Sequence, residues 1–400
     1  MPTQRNIALI TTGGTISSVS TAEGIAPKSG VVESMLLSDR MGYKKKGGSY
    51  VSGDGGVRLD VLRLFNKDST DLVFEDRIVL AREVFEAMKK YDGIIVTHGT
   101  DTLVETAHSL SIWLKYPLKT IAITGAFKTI EDKNSDAWEN LQDSITAACE
   151  GLCGVFVIFH GKVLQGEMVF ERIDQHNGSS SKTFDSIFGS VALVGSNGMH
   201  YDCAPVVGNP YQHVFPPNTR VEPWLDISHN DDVFYIVPPV NSERFKDIAE
   251  KCDGIVVEAT VSGGIPESLL PGITAMAKSK PIVLARRYKP GDEGSEYAVA
   301  RNAENTGVII GSGLPSFDRA VLSYVLGKLE GQELRGVAMI KGQFNQVVGE
   351  VFRKRLSKMP FMNGDRNAPL DCDIVGALRT PVRDGGRFTD NGSRRKRKVC

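Results

Sequence analysis

The chain alternates short apolar runs with longer stretches in which apolar residues recur every three or four positions. The runs at residues 7–10, 94–96, 121–123 and 154–159 lack polar alternation, the pattern of parallel strands covered on both faces. Residues 81–90 place Val84, Phe85 and Met88 on one helical face, and the run at 77–80 reads as a strand leading into that helix. Residues 103–110 predict a further helix, and Ser135-Asp136 supplies a cap for another starting near Ala137. Strand and helix in repetition predict an α/β fold, a doubly wound and mostly parallel sheet. Prolines then cluster (Pro205, Pro210, Pro216, Pro217, Pro223), and apolar runs at 233–237 and 254–257 open a second series. The expected organisation is an N-terminal α/β domain over residues 1–205, a linker at 206–231, a smaller C-terminal α/β domain at 232–350 and a basic tail at 351–400. At 400 residues and 41% hydrophobic content the chain can bury more than one core.

Two strand ends carry hydroxyl-rich turns. The first run passes directly into Thr11-Thr12-Gly13-Gly14-Thr15-Ile16, where paired glycines allow close backbone approach and present Thr15. Open α/β sheets hold their ligands just beyond such carboxyl ends, so Thr15 is a candidate nucleophile. The run at 94–96 passes into Thr97-His98-Gly99-Thr100-Asp101-Thr102 ahead of a helix. Free N–H groups there suit a carboxylate, and Asp101 suits an ammonium, although a helix cap is the commoner work for such an aspartate.

Together the segments Thr12-Gly13-Gly14-Thr15-Ile16 and His98-Gly99-Thr100-Asp101-Thr102 resemble the bacterial-type asparaginase/glutaminase family of threonine amidohydrolases, in order over roughly residues 5 to 345. The resemblance implies that Thr15 is the acyl nucleophile, that Thr100 helps position or activate it, and that Asp101 binds the substrate α-amine. Asp68-Ser69-Thr70-Asp71-Leu72 resembles the family segment that contacts the α-carboxylate, which places Ser69 and its neighbour Thr70 in the substrate site. Gly14 and Gly99 join them as substrate-facing turn residues, with backbone N–H groups of the glycine turn polarising the carbonyl. A threonine ester intermediate needs neither a metal nor an organic cofactor.

Two positions depart from the family pattern. Aligning residues 24–30 with the family's flap puts Ile25 where a tyrosine stands, and isoleucine has no proton to give. Counting from Gly166 puts Glu171 where the family has a lysine, with Arg172 adjacent and Lys182 further along. Carboxylates at both Glu171 and Asp101 would disfavour double ionisation, so Glu171 becomes a candidate general acid or base. Crippled catalysis, or a cation swung in from Arg172 or Lys182, stays open.

The rest of the composition narrows the class. The six cysteines form no C-x-x-C pair, and Cys149 and Cys153, four apart, are read as core-facing. Seven scattered histidines show no metal-type pairing, and His98 reads as support for its loop. A formal charge of -1 argues against nucleic acid as a partner, and no run reaches membrane-spanning length. The segment 254–266 resembles the loop of the family's smaller domain, which helps complete a neighbouring subunit's site, but it lacks that loop's asparagine. The loop 291–296 is read as a solvated acidic loop ahead of such a role for Glu296. The tail carries thirteen Lys and Arg against five Asp and Glu, and is read as a disordered extension ahead of a nuclear signal or anion patch. The expectation is a cytoplasmic, cofactor-free and metal-free amidohydrolase acting on asparagine or a related small amide, assembled as a homodimer or homotetramer. Its alternatives are a specialised hydrolase of another amide or imide in a biosynthetic pathway, and a non-catalytic ligand-binding homologue.

Overall fold

Burial on both faces of the apolar runs builds the largest sheet in the computed structural model, which describes residues 4–353 and 361–362 apart from 177–178, 188, 196–197, 202–205, 208–221, 239, 260–263, 287–305 and 333–335. In chain order, β1 (Arg5–Gly13) leads to a hairpin of β2 (Ser18–Thr21) and β3 (Gly24–Pro27), then helix α1 (Val31–Leu37). Short β4 (Lys44–Lys46) and β5 (Ser49–Val51) precede the long β6 (Val57–Lys67), helix α2 (Phe74–Met88), β7 (Gly93–Thr97) and helix α3 (Leu103–Trp113). Next come β8 (Leu114–Lys115), β9 (Thr120–Thr124), helix α4 (Ala137–Glu150), β10 (Gly154–Phe159) and β11 (Lys162–Gln165). A second hairpin, β12 (Val169–His176) and β13 (Ser179–Ser186), precedes β14 (Ala192–Gly195), β15 (Gly198–Tyr201), β16 (Val206–Val207) and β17 (Trp224–Leu225). The remainder is β18 (Val233–Ile236), α5 (Ser242–Glu250), β19 (Gly254–Ala259), α6 (Leu270–Met276), β20 (Ile282–Arg286), β21 (Ile309–Ile310), α7 (Pro315–Lys328), α8 (Val337–Arg353) and β22 (Phe361–Met362).

The ten-stranded sheet runs β15-β14-β11-β10-β9-β7-β1-β6-β5-β4. Its five central strands, β10 to β6, are mutually parallel, and both flanks are antiparallel. Alternate residues face opposite layers, as the period of a strand requires. Ala8, Ile10, Ile94 and Val96 pack with α2 and α3, whereas Ile7, Leu9 and Ile95 pack with α1 and α4. The smaller sheet, β18-β19-β20-β21, is wholly parallel. One of its faces, with α7, continues the apolar cluster of α2 and α3; the other packs on α5 and α6. The fold is the α/β arrangement expected, a large mostly parallel sheet plus a smaller one.

Three local readings change. Residues 77–80 lie inside α2 rather than in a strand. Leu80 continues the buried stripe of Val84 and Ala87, and Asp76 accepts from the Val73 N–H at the helix start (3.1 Å). The strand β6, unanticipated, lies beside β1 and extends the parallel core by one strand. Asp136 stands at the start of α4, but its side chain does not cap that helix's backbone N–H groups. Its carboxylate accepts instead from Phe127 N (3.0 Å), Lys128 N (3.1 Å) and Asn140 Nδ2 (3.1 Å), tying the loop after β9 to the helix. Cys149 is half-buried on α4 and Cys153 is buried just beyond it. The expected linker, apart from 206–207 and 222–231, the tail beyond 353 apart from 361–362, residues 260–263 and the loop 291–296 with Glu296 all lie outside the described residues.

Candidate active site

The strand order places the chemistry. From β1 the chain passes to β6 on one side and then returns to β7 on the other, so β6-β1-β7 contains a topological switch point. Each of the three strands ends in a single 3-10 turn: Thr15–Ser17 after β1, Ser69–Asp71 after β6, and Thr100–Thr102 after β7. The N–H groups that open such turns have no acceptor within them.

The turns meet through glycine. Gly14 has φ +74°, and a Cβ built on it would lie 2.3 Å from the Gly99 nitrogen. A Cβ on Gly99 would lie 2.5 Å from Ser69 Oγ. Neither position has room for a methyl group, so the turn after β7 is wedged between the other two. Hydrogen bonds lock the arrangement. Gly14 N donates to Lys67 O (3.0 Å), Thr12 Oγ1 to Thr97 O (2.9 Å), and Thr102 Oγ1 to Ser69 O (2.8 Å). Sequence alone does not single out Thr12 and Thr102; the hydroxyl density of both motifs is the available signal.

Around this junction lies a set of unengaged side chains. Thr15 is half-buried, Thr100 and Ser69 are buried, and Asp101 is exposed. Ser17 Oγ, Ser69 Oγ and Thr97 Oγ1 are buried without any hydrogen-bond partner among the described residues. An unmet buried hydroxyl costs on the order of 1–3 kcal/mol, which a bound molecule can offset. Two expected contributors are already engaged. Thr70 Oγ1 donates to Asp68 Oδ1 (2.8 Å), while Gly14 N–H is held by Lys67 O, leaving carbonyl polarisation to other N–H groups of the turns.

His98 supports the turn after β7, and its polarity is determined by its partners. Gly99 O can only accept, so His98 Nδ1 donates to it (2.7 Å). Nε2 therefore accepts from Thr106 Oγ1 (2.9 Å), which in turn accepts from Arg77 Nε (3.1 Å). Complete burial pushes the imidazole down to about 4, so it stays neutral at physiological pH.

The charged residues divide into pairs. Lys67, at the end of β6, binds both oxygens of Asp76 at 2.8 Å. Arg172 Nη1 binds Asp185 at 2.7 Å. Glu171 pairs across the second hairpin with Lys182 at 3.7 Å, both partly exposed. Among the described residues no hydrogen bond or ion pair joins Glu171 to Thr15, Thr100 or Asp101. Glu171 instead acts electrostatically on Glu105, whose carboxyl is pushed above its ordinary range by burial and, to a lesser degree, by Glu171. Ile25 sits on the hairpin that follows Thr15, with 62% of its surface exposed. No group of histidine, cysteine, aspartate and glutamate able to hold a metal ion occurs among the described residues, and no helix there is long and apolar enough to cross a membrane.

A parallel α/β core with polar turns meeting at its switch point is where open sheets hold a small ligand. Likeness to known proteins identifies the class as an amidohydrolase of asparaginase type. The family described as "Asparaginase, N-terminal" matches residues 6–206, and the chain belongs to the asparaginase family. It is 30% identical over 310 residues to the L-asparaginase of Thermococcus kodakarensis, covering 76% of this chain and 87% of that one. It is 26% identical over 373 residues to a glutamyl-tRNA(Gln) amidotransferase subunit of Methanobrevibacter smithii, covering 90% and 80% respectively. The solved thermostable L-asparaginase from Thermococcus kodakarensis superposes with a TM-score of 0.68 at 27% identity, over 86% of this chain and 98% of that one.

Two outcomes are expected. Gly14→Ala forces a methyl group onto the Gly99 backbone at a positive φ, and urea denaturation should show a loss of roughly 1–3 kcal/mol or more. His98 has a folded pKa below its unfolded value of 6.5. Its stabilising contribution is therefore complete above pH 6.5 and is lost as pH falls towards 4. His98→Gln should flatten the fall in stability across that window by up to about 1.4 kcal/mol per pH unit, measured by urea unfolding at a series of pH values.

Proposed function

We propose that this chain hydrolyses the side-chain amide of asparagine, or of a closely related small amino-acid amide, through an ester on Thr15. The observation that carries the reading is the convergence of Thr15, Ser69, Thr100 and Asp101 on three interlocked turns, with none of their side chains hydrogen-bonded among the described residues. In the proposed reaction Asp101 accepts from the substrate ammonium, while Ser69 Oγ and free turn N–H groups bind its carboxylate. Thr15 Oγ attacks the amide carbon as its proton passes to Glu171, with Thr100 orienting the attacking hydroxyl. The tetrahedral intermediate collapses: the C–N bond breaks and ammonia leaves with the proton from Glu171. Water then attacks the ester, the bond to Thr15 breaks, and the free acid is released as Thr15 recovers a proton.

Glu171 in place of a lysine is what separates this site from a simple copy of the family pattern. Its pairing with Lys182 keeps a cation beside that position. The apolar, exposed Ile25 favours a second reading, a specialised hydrolase of another amide or imide, or a site that binds without turnover. The amidotransferase relative adds glutamine to the substrates worth testing and a protein to the candidate partners. Cytoplasmic residence and assembly as a homodimer or homotetramer are part of the proposal. Cys149 and Cys252, outside any disulfide, suit a reducing compartment.

Ammonia release from L-asparagine, L-glutamine and their D-forms tests the reading. Thr15→Ala should lower turnover by roughly a thousandfold or more, and Glu171→Gln by about a hundredfold or more. Glu171→Lys should leave the rate unchanged or reduced; a gain would remove Glu171 from the mechanism. Silence of the wild type on all four substrates would favour the second reading.

A further inference from the structure

A cleft of about 410 Å³ lies beside the three turns, and Thr102, the last residue of the turn after β7, stands on its wall. It is formed by α2, α3, α7 and the segment leading into β18, and none of Thr15, Ser69, Thr100 or Asp101 lines it. Its floor is Trp113, Ser109, Val233 and Ser323, all buried, with Phe74 packed edge-on against Trp113 at 5.1 Å. Its charged residues come from separate elements: Arg77 from α2, Glu105 from α3, Arg319 from α7, and Asp231 from the segment before β18.

Each guanidinium is anchored and still has donors to offer. Arg77 donates through Nε to Thr106 and through Nη1 to Leu72 O (3.2 Å). Arg319 donates through Nε to Val233 O (3.1 Å). A guanidinium has five N–H donors, so among the described residues both have donors left over. Glu105 Oε2 is buried without a hydrogen-bond partner, and among the described residues neither arginine comes within ion-pair distance of it. Two fixed cations and two carboxylates around one concavity match a ligand carrying both signs. A dianion would meet Glu105 and Asp231; a dication would meet Arg77 and Arg319.

We propose that this cleft is a second binding site, specific for a free α-amino acid. The α-carboxylate lies between Arg77 and Arg319, the ammonium donates to Glu105 Oε2, and the side chain rests on Trp113 and Phe74. The volume lies within the range of small-molecule sites, about 300–1,000 Å³. Burial raises the Glu105 carboxyl against the opposing pull of Arg77 and Arg319, and a ligand ammonium would favour its ionised form. The site stands on its own lining and does not depend on the reaction proposed for Thr15.

The test is calorimetric titration of L-aspartate, L-glutamate, L-glutamine and L-leucine into the full chain carrying Asp101→Ala, which removes the ammonium anchor proposed for the active site. One of these amino acids should bind saturably at one site per chain and alter Trp113 fluorescence. Adding Arg319→Ala should weaken that binding at least tenfold. Glu105→Gln should weaken the amino acid by a similar factor while leaving its deaminated carboxylic-acid analogue unaffected. Ser316→Trp, which fills the cleft from α7 without removing a charge, should abolish binding if the arginine variant fails to fold. The proposal is overturned if no amino acid binds the Asp101→Ala chain, if Arg319→Ala binds as the parent does, or if inorganic phosphate binds as tightly as the amino acid.

Discussion

The contact of Gly14 with Gly99, and of Gly99 with Ser69, sets the distance between the three polar turns. A built Cβ falls 2.3 Å from backbone at the first contact and 2.5 Å from Ser69 Oγ at the second. Backbone can approach backbone at this range only where no side chain intervenes. Strand register brings the turns to the same level: Thr11 lies opposite Thr97 on one side, and Gly13 opposite Lys67 on the other after a local irregularity in pairing. Burial on both faces of β1 and β7 then prevents the strands from slipping, because a one-residue shift would exchange the two apolar layers. The hydroxyl cluster is thus a consequence of sheet packing, held by Thr12, Thr102 and the Arg77-Thr106-His98 chain.

The electrostatics around the cluster are those of engaged cations and open acceptors. Lys67 and Arg172 each belong to a carboxylate, and the Glu171–Lys182 pair stands at the second hairpin. His98 is held neutral by burial and by a directed hydrogen-bond chain, which excludes it as a base without a rearrangement of three segments. Among the described residues, what the proposed reaction has left to meet a ligand is the carboxylate of Asp101 and the hydroxyls of Thr15, Thr100 and Ser69, with Ser17 and Thr97 also unpartnered beside them. This is a suitable set for a zwitterion presenting an electrophilic carbonyl, and a poor one for a polyanion.

Much of this was legible in the sequence, for identifiable reasons. Doubly buried strands announce themselves as apolar runs, and paired glycines beside threonines mark the turns that follow. Residues 57–67 escape such a reading because β6 is only partly covered: Arg58, Asp60 and Arg63 break its apolar pattern. The run at 77–80 misleads because three apolar residues in a row suit a strand or one side of a helix equally; the stripe Leu80, Val84, Ala87 decides it. Contacts between distant segments could not be read at all. Arg77, His98 and Thr106 meet only once α2, β7 and α3 are packed. Lys182 meets Glu171 only because the hairpin register sets Ile173 opposite Lys182 and Phe184 opposite Glu171.

The most direct measurement is a crystal structure of the chain soaked with L-aspartate, the acid that asparagine hydrolysis would release. The account predicts the α-carboxylate at Ser69 and the turn N–H groups, the ammonium on Asp101, and the side-chain carboxyl carbon facing Thr15 Oγ. Turns that stay empty of aspartate, or an aspartate there whose side chain points away from Thr15, would contradict it.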